Sequence, residues 1–368
     1  MALQEIIPYL KDSEQTHFAA GQTIFNAGDI GYGMYFIVEG EVHISLQSRV
    51  LDHLEVGQVF GEMALVDDQV RSATAIAATD CVLAHIDKTR FTALTQQRPS
   101  FAAELMVIMS TRLRRFIEEE VKRQRLEQEL AIGRQIQLSL LPESCPFRSG
   151  WDFAAFYRAA RQVGGDLYDF ISDPDQPDLL HIVIADVTGK GVPAAMFMAL
   201  CRTVIRTEAR NGRTPADLLR RTNQFLVNEQ QSRTFLTAFF ASLNVQTGEM
   251  RYAIGGHERP YWRQAENGRL QQLTGQGMLL GAFPTIRVEE NTIVLAPGDT
   301  LILYTDGITE ARRGPELFDE ARLEEVIAAQ ANPSAQQLSQ KILEAVDQFS
   351  GDTPQSDDIT LVILKRWE

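Results

Sequence analysis

Ile182-Val183-Ile184-Ala185-Asp186-Val187-Thr188-Gly189-Lys190-Gly191 is the stretch on which the fold of this chain turns. Apolar residues run from Leu179 to Ala185 and stop at an aspartate. A loop with two glycines follows. A short apolar run bounded by turn residues reads as a buried strand. Asp186 then stands where that strand leaves the core, and Val192 to Arg210 continues as a helix.

The same arrangement recurs further along. Leu301-Ile302-Leu303-Tyr304 runs into Thr305-Asp306, and Asp357 precedes the apolar run Ile359 to Leu364. Phe235 to Val245 and Thr300 to Tyr304 complete the buried strands. Pro215 to Glu229 reads as a helix, with Thr214 as its N-cap and proline at the first helical position. Asn332-Pro333 opens a late helix ending near Phe349. This mixture predicts a sheet-rich core covered by helices.

Five segments hold the acidic chemistry: Gly164-Gly165-Asp166-Leu167-Tyr168-Asp169, the Asp186 loop, Gly255-Gly256-His257-Glu258, Tyr304-Thr305-Asp306-Gly307-Ile308-Thr309-Glu310, and Asp357-Asp358-Ile359-Thr360. A single Asp-Gly is usually a turn. Several aspartates at strand ends can instead converge on one edge of a core. The reason to gather them is a hard divalent cation, since Mg²⁺ and Mn²⁺ favour oxygen ligands. Two such ions about 3.5–4 Å apart can activate a bridging water for attack at phosphorus. Lys190 between glycines does not make a nucleotide phosphate loop, because the Gly-x-x-x-x-Gly-Lys-Ser/Thr spacing is absent.

The N-terminal part has another texture. Met34 to Val38, Glu41 to Leu46 and Ala73 to Ala77 are short strand-like runs, with turns at Gly28, Gly40 and Gly57. That pattern suggests a β-barrel or sandwich. Within it lie Phe60-Gly61-Glu62-Met63-Ala64-Leu65 and Arg71-Ser72-Ala73-Thr74. An arginine matches a phosphodiester with a charged fork, a carboxylate accepts from a ribose hydroxyl, and a glycine admits close backbone approach. No helix-turn-helix pattern follows to make this a transcription factor.

From Phe101 to Leu141 there is no glycine before Gly133, and charge is dense. Ile108, Leu113, Ile117, Val121, Leu126 and Leu130 recur near helical period. Two readings stand, a single solvated connector helix and a dimeric coiled coil with an imperfect heptad. Pro142 and Pro146 close the segment.

Composition agrees with two domains and a connector. The 368 residues are 44% hydrophobic and 23% charged, and the net charge of −14 argues against nucleic-acid binding. Three scattered cysteines, Cys81, Cys145 and Cys201, form no metal spacing and no disulfide framework. The start, Met-Ala-Leu-Gln-Glu-Ile-Ile-Pro, lacks the pattern of a signal peptide, and no run reaches the ~18 apolar residues of a membrane span. The expected location is the cytoplasm, with no membrane contact.

Residues 18 to 94 resemble the cyclic-nucleotide-binding domain family through Gly21, Gly28-Asp29, Tyr35 to Gly40, Gly57, Phe60-Gly61-Glu62 and Arg71-Ser72-Ala73-Thr74. The resemblance implies that Glu62 holds the ribose, Arg71 the cyclic phosphate and Ser72 assists, with Gly61 and Met63 beside them. It favours cAMP over cGMP. Val70 departs from the family, where proline is common. Residues 125 to 365 resemble the metal-dependent protein phosphatase (PPM) family in its SpoIIE-like branch. The resemblance rests on Glu129-Leu130-Ala131, Ile136-Gln137, Leu140-Leu141-Pro142, Val163-Gly164-Gly165-Asp166, Tyr168-Asp169 and the Asp186-to-Gly191 loop. It implies a phosphoserine or phosphothreonine phosphatase with two or more Mn²⁺ or Mg²⁺ ions. Asp186 would bridge them, the Val187 carbonyl would reach the second, and Asp306 and Asp357 would complete the first, with Asp166 in an outer position. Asp358 replaces Asp357 if the register slips by one. Glu258 stands where the family often has asparagine, and His257 reads as structural. Arg158 and Arg161 read equally as phosphate contacts or surface cations.

The expectation is therefore α+β throughout. It comprises a jelly-roll-like N-terminal β-barrel with flanking helices (1–100), a helical linker (101–143) and an α-β-β-α sandwich (144–368). The expected substrate is a phosphorylated regulatory protein of the anti-sigma-factor-antagonist kind. The expected regulator is a cyclic nucleotide, and the chain is expected to pair as a homodimer through the linker. The alternative keeps the phosphatase but makes the N-terminal domain a dimerising scaffold without ligand.

Overall fold

The computed structural model describes residues 15–46, 49–66, 69–229 and 234–367. The opening octet read above lies outside them. The chain divides into two compact units, one ending at Gln124 and the other beginning at Arg125. Both fall on the course of one helix.

Among the described residues the N-terminal unit has eight strands: β1 (Gln15–Phe18), β2 (Thr23–Phe25), β3 (Gly33–Glu39), β4 (Val42–Leu46), β5 (Arg49–Leu54), β6 (Val59–Phe60), β7 (Thr74–Ala77) and β8 (Cys81–Asp87). They form two antiparallel sheets of four, ordered β1-β8-β3-β6 and β2-β7-β4-β5. The expected barrel is thus an open pair of sheets among the described residues. Ile37, Val42, Phe60, Ala75 and Leu83 fill the space between them. A short helix α1 (Met63–Val66) follows β6. Asp87 caps α2 (Lys88–Gln97) by accepting from Arg90 N. The predicted connector is one helix, α3 (Ser100–Leu140), of 41 residues. Its Phe101 and Leu105 join a core with Met34, Phe36 and Ile86.

The C-terminal unit is a four-layered sandwich. Its first sheet runs β10 (Leu167–Asp173), β11 (Gln176–Val187), β12 (Leu236–Asn244), β13 (Glu249–Gly255), β16 (Glu290–Val294). The second runs β15 (Leu270–Gln272), β14 (Tyr261–Arg263), β17 (Thr300–Tyr304), β20 (Ile359–Arg366), β9 (Trp151–Arg158). A small hairpin of β18 (Arg312–Arg313) and β19 (Glu316–Leu317) stands apart. Helices α4 (Val192–Ala209) and α5 (Pro215–Glu229) cover the first sheet. After the one-turn α6 (Asp306–Thr309), α7 (Asp319–Ala328) and α8 (Ala335–Ser350) cover the second.

The deciding strand β11 is buried on both faces from Leu180 to Ala185, which is why its sequence shows no alternation. Each buried leucine, isoleucine or valine there stabilises the fold by about 1.5–3 kcal/mol. The late helix begins later than Asn332-Pro333 suggests. Ser334 caps it in a capping box with Gln337. Pro333 instead offers its carbonyl to the buried Lys365 ammonium, which also donates to Asn332 Oδ1 at 2.6 Å.

Candidate active site and nucleotide pocket

In the N-terminal unit, Gly61, Glu62, Met63, Arg71 and Ser72 all line one cavity of about 580 Å³. That volume is in the range of small-molecule sites. Arg71 is buried, its guanidinium carbon 4.2 Å from the Phe25 ring centroid, and its Nη1 donates to the Gly61 carbonyl at 2.8 Å. Its Nε, also buried, has no acceptor among the described residues. Burial pulls the guanidinium pKa below its usual value, against the attraction of Tyr35, Asp29 and Glu62. Gly61 has φ 73°, and a Cβ there would lie 2.5 Å from Arg71 Nη1, so only glycine fits. Glu62 is buried, while Met63 and Ser72 are exposed, with Ser72 Oγ 3.7 Å from Met63 Sδ.

Sequence reasoning missed the residue that reaches Glu62. Arg112, on α3, donates from Nη1 to Glu62 Oε1 at 3.2 Å and from Nη2 to the Val59 carbonyl at 2.7 Å. Arg115, one turn on, pairs with Asp52 at 2.7 Å. The Arg112-Leu113-Arg114-Arg115 run was visible as charge density on a connector. Nothing in its spacing tied it to a pocket some fifty residues earlier.

In the C-terminal unit, the two sheets bring their aspartates to one end. Asp166 immediately precedes β10, and Leu167 pairs with Ala185, so Asp166 falls opposite Asp186. Asp306 follows β17, and Asp357 lies two residues before β20, whose Leu361 pairs with Tyr304. Asp166 is 1% exposed. Its Oδ2 accepts from Thr305 Oγ1 at 2.8 Å and Thr360 Oγ1 at 2.6 Å. These two threonines stood in the quoted motifs, but their role as clamps on Asp166 was not legible there.

The carboxylates act on one another. Burial, then Asp186, then Asp358 push the Asp166 carboxyl well above its usual range. Burial pushes Asp186 up to about 6, with Asp357 and Asp358 adding to it and a hydrogen bond with Asp166 opposing it. Asp306 is pushed up to about 7 by burial, then by Asp186, Asp357, Glu310 and Glu258. The family-atypical Glu258 therefore belongs to the same acidic field, and burial raises its carboxyl too. The Val187 carbonyl lies against Gly165, where a Cβ would come within 2.7 Å of it.

Asp357 and Asp358 divide their work. Asp358 is buried and accepts from Ala160 N at 2.8 Å, Gly165 N at 2.5 Å and Asp166 N at 3.4 Å. It brackets the loop that carries Asp166. A Cβ on Gly164 would meet its Oδ2 at 2.1 Å, so that glycine is a packing requirement. Asp357 is half-buried and pairs with Lys190 Nζ at 2.8 Å. His257 is buried, its Nδ1 2.8 Å from Thr237 Oγ1, and burial drives its pKa down to about 3. Thr237 is the register partner of Asp186. Arg158 is committed to Asp347 at 2.6 Å and to Gln355 at 2.8 Å. Arg161 is exposed, its Nη1 3.9 Å from where a Cβ on Gly191 would stand.

Among the described residues, no three His, Cys, Asp or Glu side chains are already drawn into one metal cage. The donor set nonetheless suits a hard cation. It consists of carboxylate oxygens that repel one another, with a lysine ammonium already resting on one of them.

Comparison with known proteins agrees with both halves. Residues 176–367 match the family "Stage II sporulation protein E (SpoIIE)", and residues 15–98 match "Cyclic nucleotide-binding domain". Over 252 residues the chain is 28% identical to "Phosphoserine phosphatase RsbU" of Bacillus subtilis (strain 168), covering 68% of this chain and 72% of that one. Over 372 residues it is 29% identical to "Protein IcfG" of Synechocystis sp., covering 93% of this chain and 56% of the relative, so it spans little more than half of that protein. Among solved structures, the SiaA-PP2C domain of Pseudomonas aeruginosa superposes with a TM-score of 0.59 at 23% identity, over 67% of this chain and 98% of that domain, a likeness of fold. The RsbU and RsbW domains of Rv1364c from Mycobacterium tuberculosis give 0.53 at 29% identity, over 62% of this chain and 63% of that one. The chain belongs to the SpoIIE family of protein serine/threonine phosphatases, with a cyclic-nucleotide-binding domain ahead of its catalytic domain.

Proposed function

We propose that this protein is a metal-dependent phosphatase that removes phosphate from serine or threonine on a regulatory protein, and that a cyclic nucleotide, cAMP, governs it. The observation that carries the reading is the convergence of Asp186, Asp306 and Asp357 over the buried Asp166, in which Asp186 raises the pKa of Asp166 and Asp306, and Asp357 raises those of Asp186 and Asp306. Such a field is costly unless cations balance it. Asp186, Asp306, Asp357 and the Val187 carbonyl are the groups that would hold two Mn²⁺ or Mg²⁺ ions. When bound, the ions supply water activation and neutralise charge at phosphorus. Asp166, fixed by Thr305 and Thr360, orients Asp186 from beneath. Asp358 holds the Gly164-Gly165-Asp166 loop in place. His257, kept neutral, steadies Thr237 at the Asp186 end of β12.

The substrate class follows the relatives. RsbU is named a phosphoserine phosphatase, and a regulatory phosphoprotein such as an anti-sigma-factor antagonist is the substrate we infer here. On the nucleotide side, Arg71 supplies the fork for the cyclic phosphate, Glu62 the acceptor for the ribose hydroxyl, and Ser72 and Met63 flank them. Exposed Leu113, Ile117, Val121 and Leu126 along α3 support pairing of two copies through that helix. Sedimentation would show a dimer that Leu113→Glu/Val121→Glu converts to monomer.

The direct test is turnover of p-nitrophenyl phosphate with Mn²⁺ while cAMP and cGMP are titrated. The expected result is Mn²⁺-dependent hydrolysis that changes with cAMP at lower concentration than with cGMP. Turnover that persists in excess chelator overturns the metal reading. Turnover indifferent to both nucleotides makes the N-terminal domain a scaffold.

A further inference from the structure

The loop between β11 and α4 places one lysine at the acidic cluster. Lys190 Nζ lies 2.8 Å from Asp357 Oδ2 and donates to the Ser356 carbonyl. Neither partner is sealed in, since their side chains are 39% and 30% exposed. The lysine sits between Gly189 and Gly191, with φ 96° and 77°. A Cβ at Gly189 would meet none of the described residues within 4 Å. Two neighbouring carboxylates are otherwise engaged. Asp166 is clamped by two threonines, and Asp358 by three backbone N–H groups.

We propose that Lys190 is a resident counter-ion which a metal ion must displace from Asp357, and that the displaced ammonium then serves as the cation for the substrate phosphate. The proposal rests on the metal reading given above. An ammonium is a compact point charge on a flexible stem, and a half-exposed ion pair is weak. A dication with twice the charge outcompetes it for the carboxylate. The freed lysine remains on the loop four residues from Asp186, free to pair with an anion bound at the metal-loaded cluster. Metal and phosphate binding are then linked through one side chain. Lys190 opposes the metal and favours the anion.

The experiment compares wild type with Lys190→Met and Lys190→Arg as full chains, with melting curves to confirm folding. Mn²⁺ affinity is read by calorimetry at fixed pH and ionic strength. Orthophosphate affinity is then read on the Mn²⁺-saturated proteins. Loss of an exposed ion pair and its charge is expected to tighten Mn²⁺ about three- to tenfold in Lys190→Met and to weaken orthophosphate by about the same factor. Lys190→Arg should bind orthophosphate as wild type does. Unchanged or weaker Mn²⁺ binding in Lys190→Met overturns the proposal. Weakening of both ligands overturns it in favour of a lysine that merely supports the loop. If wild type itself binds no Mn²⁺, the metal reading fails and this proposal falls with it.

Discussion

The two sites of this chain handle charge in opposite ways. In the nucleotide pocket, both carboxylates have a cationic partner. Glu62 has Arg112, Asp52 has Arg115, and Arg71 rests on aromatic rings and a carbonyl. At the acidic end of the C-terminal unit, carboxylates face carboxylates, and among the described residues the cation paired with one of them is the half-exposed Lys190. A pocket of paired charges can fold without its ligand and exchange it reversibly. A cluster of like charges is complete only when something positive enters. The first arrangement suits a sensor and the second suits a metal-dependent catalyst.

The largest expected effect tests the unbalanced half. Asp186→Asn removes the carboxylate that couples to Asp166, Asp306 and Asp357. Turnover with Mn²⁺ should fall by about a thousandfold or more. The metal-free variant should melt no lower than wild type, because a buried like charge has gone. Retained turnover would break the comparison, since the cluster would then be structural.

The paired half is tested by Arg71→Ala. It removes a buried guanidinium that no neighbour replaces, and cyclic-nucleotide affinity should fall about 30- to 100-fold by calorimetry. Mn²⁺ affinity of the same variant should stay at the wild-type value. A matching loss of Mn²⁺ binding would show that the variant has damaged more than its own unit.

Acidity sharpens the contrast further. Asp306 and Asp186 have folded-state pKa values of about 7 and about 6, above the unfolded carboxylate range. The folded metal-free protein therefore binds more protons than the unfolded chain between roughly pH 4 and 7, and stability falls as pH rises through that window. The melting temperature of the metal-free protein should drop from pH 5 to pH 8, and Mn²⁺ should restore it most at pH 8, where no proton must be displaced. His257, buried neutral, pulls the other way below its usual pKa. Comparison with Asp306→Asn, which should flatten the slope, isolates the carboxylate. A slope unchanged in that variant would show that Asp306 is not in the field.

Much of this was legible because each aspartate proposed for the metal site lies beside an apolar run. Burial on both faces of β11 and β17 leaves a composition that periodicity reading detects. Strands with mixed or short patterns, such as β5, β6 and β14, gave no such signal. Asp358 was read only as a fallback for Asp357, whereas it holds three backbone N–H groups. That role depends on where the loop from 160 to 166 passes, which adjacency in sequence does not encode. Arg158, open at the sequence level as a phosphate contact, is spent on Asp347 and Gln355, nearly two hundred residues away.

The smallest expected effect concerns Arg112, which the sequence did not single out. It lies on α3, and its Nη1 holds Glu62 at 3.2 Å with side-chain exposures of 25% and 11%. Counting Arg71 and Arg112 against Glu62 and Asp52, the pocket is close to neutral before Arg115 is included. Removing Arg112 leaves Glu62 and Asp52 facing an anionic ligand with one cation fewer. Nucleotide affinity should therefore weaken, by about three- to tenfold, and the loss should shrink as salt rises. Arg112→Lys keeps the charge but not the fork that also reaches the Val59 carbonyl, so it should recover part of the affinity. Tighter binding in Arg112→Ala would mean that the arginine competes with the ribose for Glu62. The paired pocket would then resemble the Lys190–Asp357 arrangement, with an internal cation that the ligand must displace.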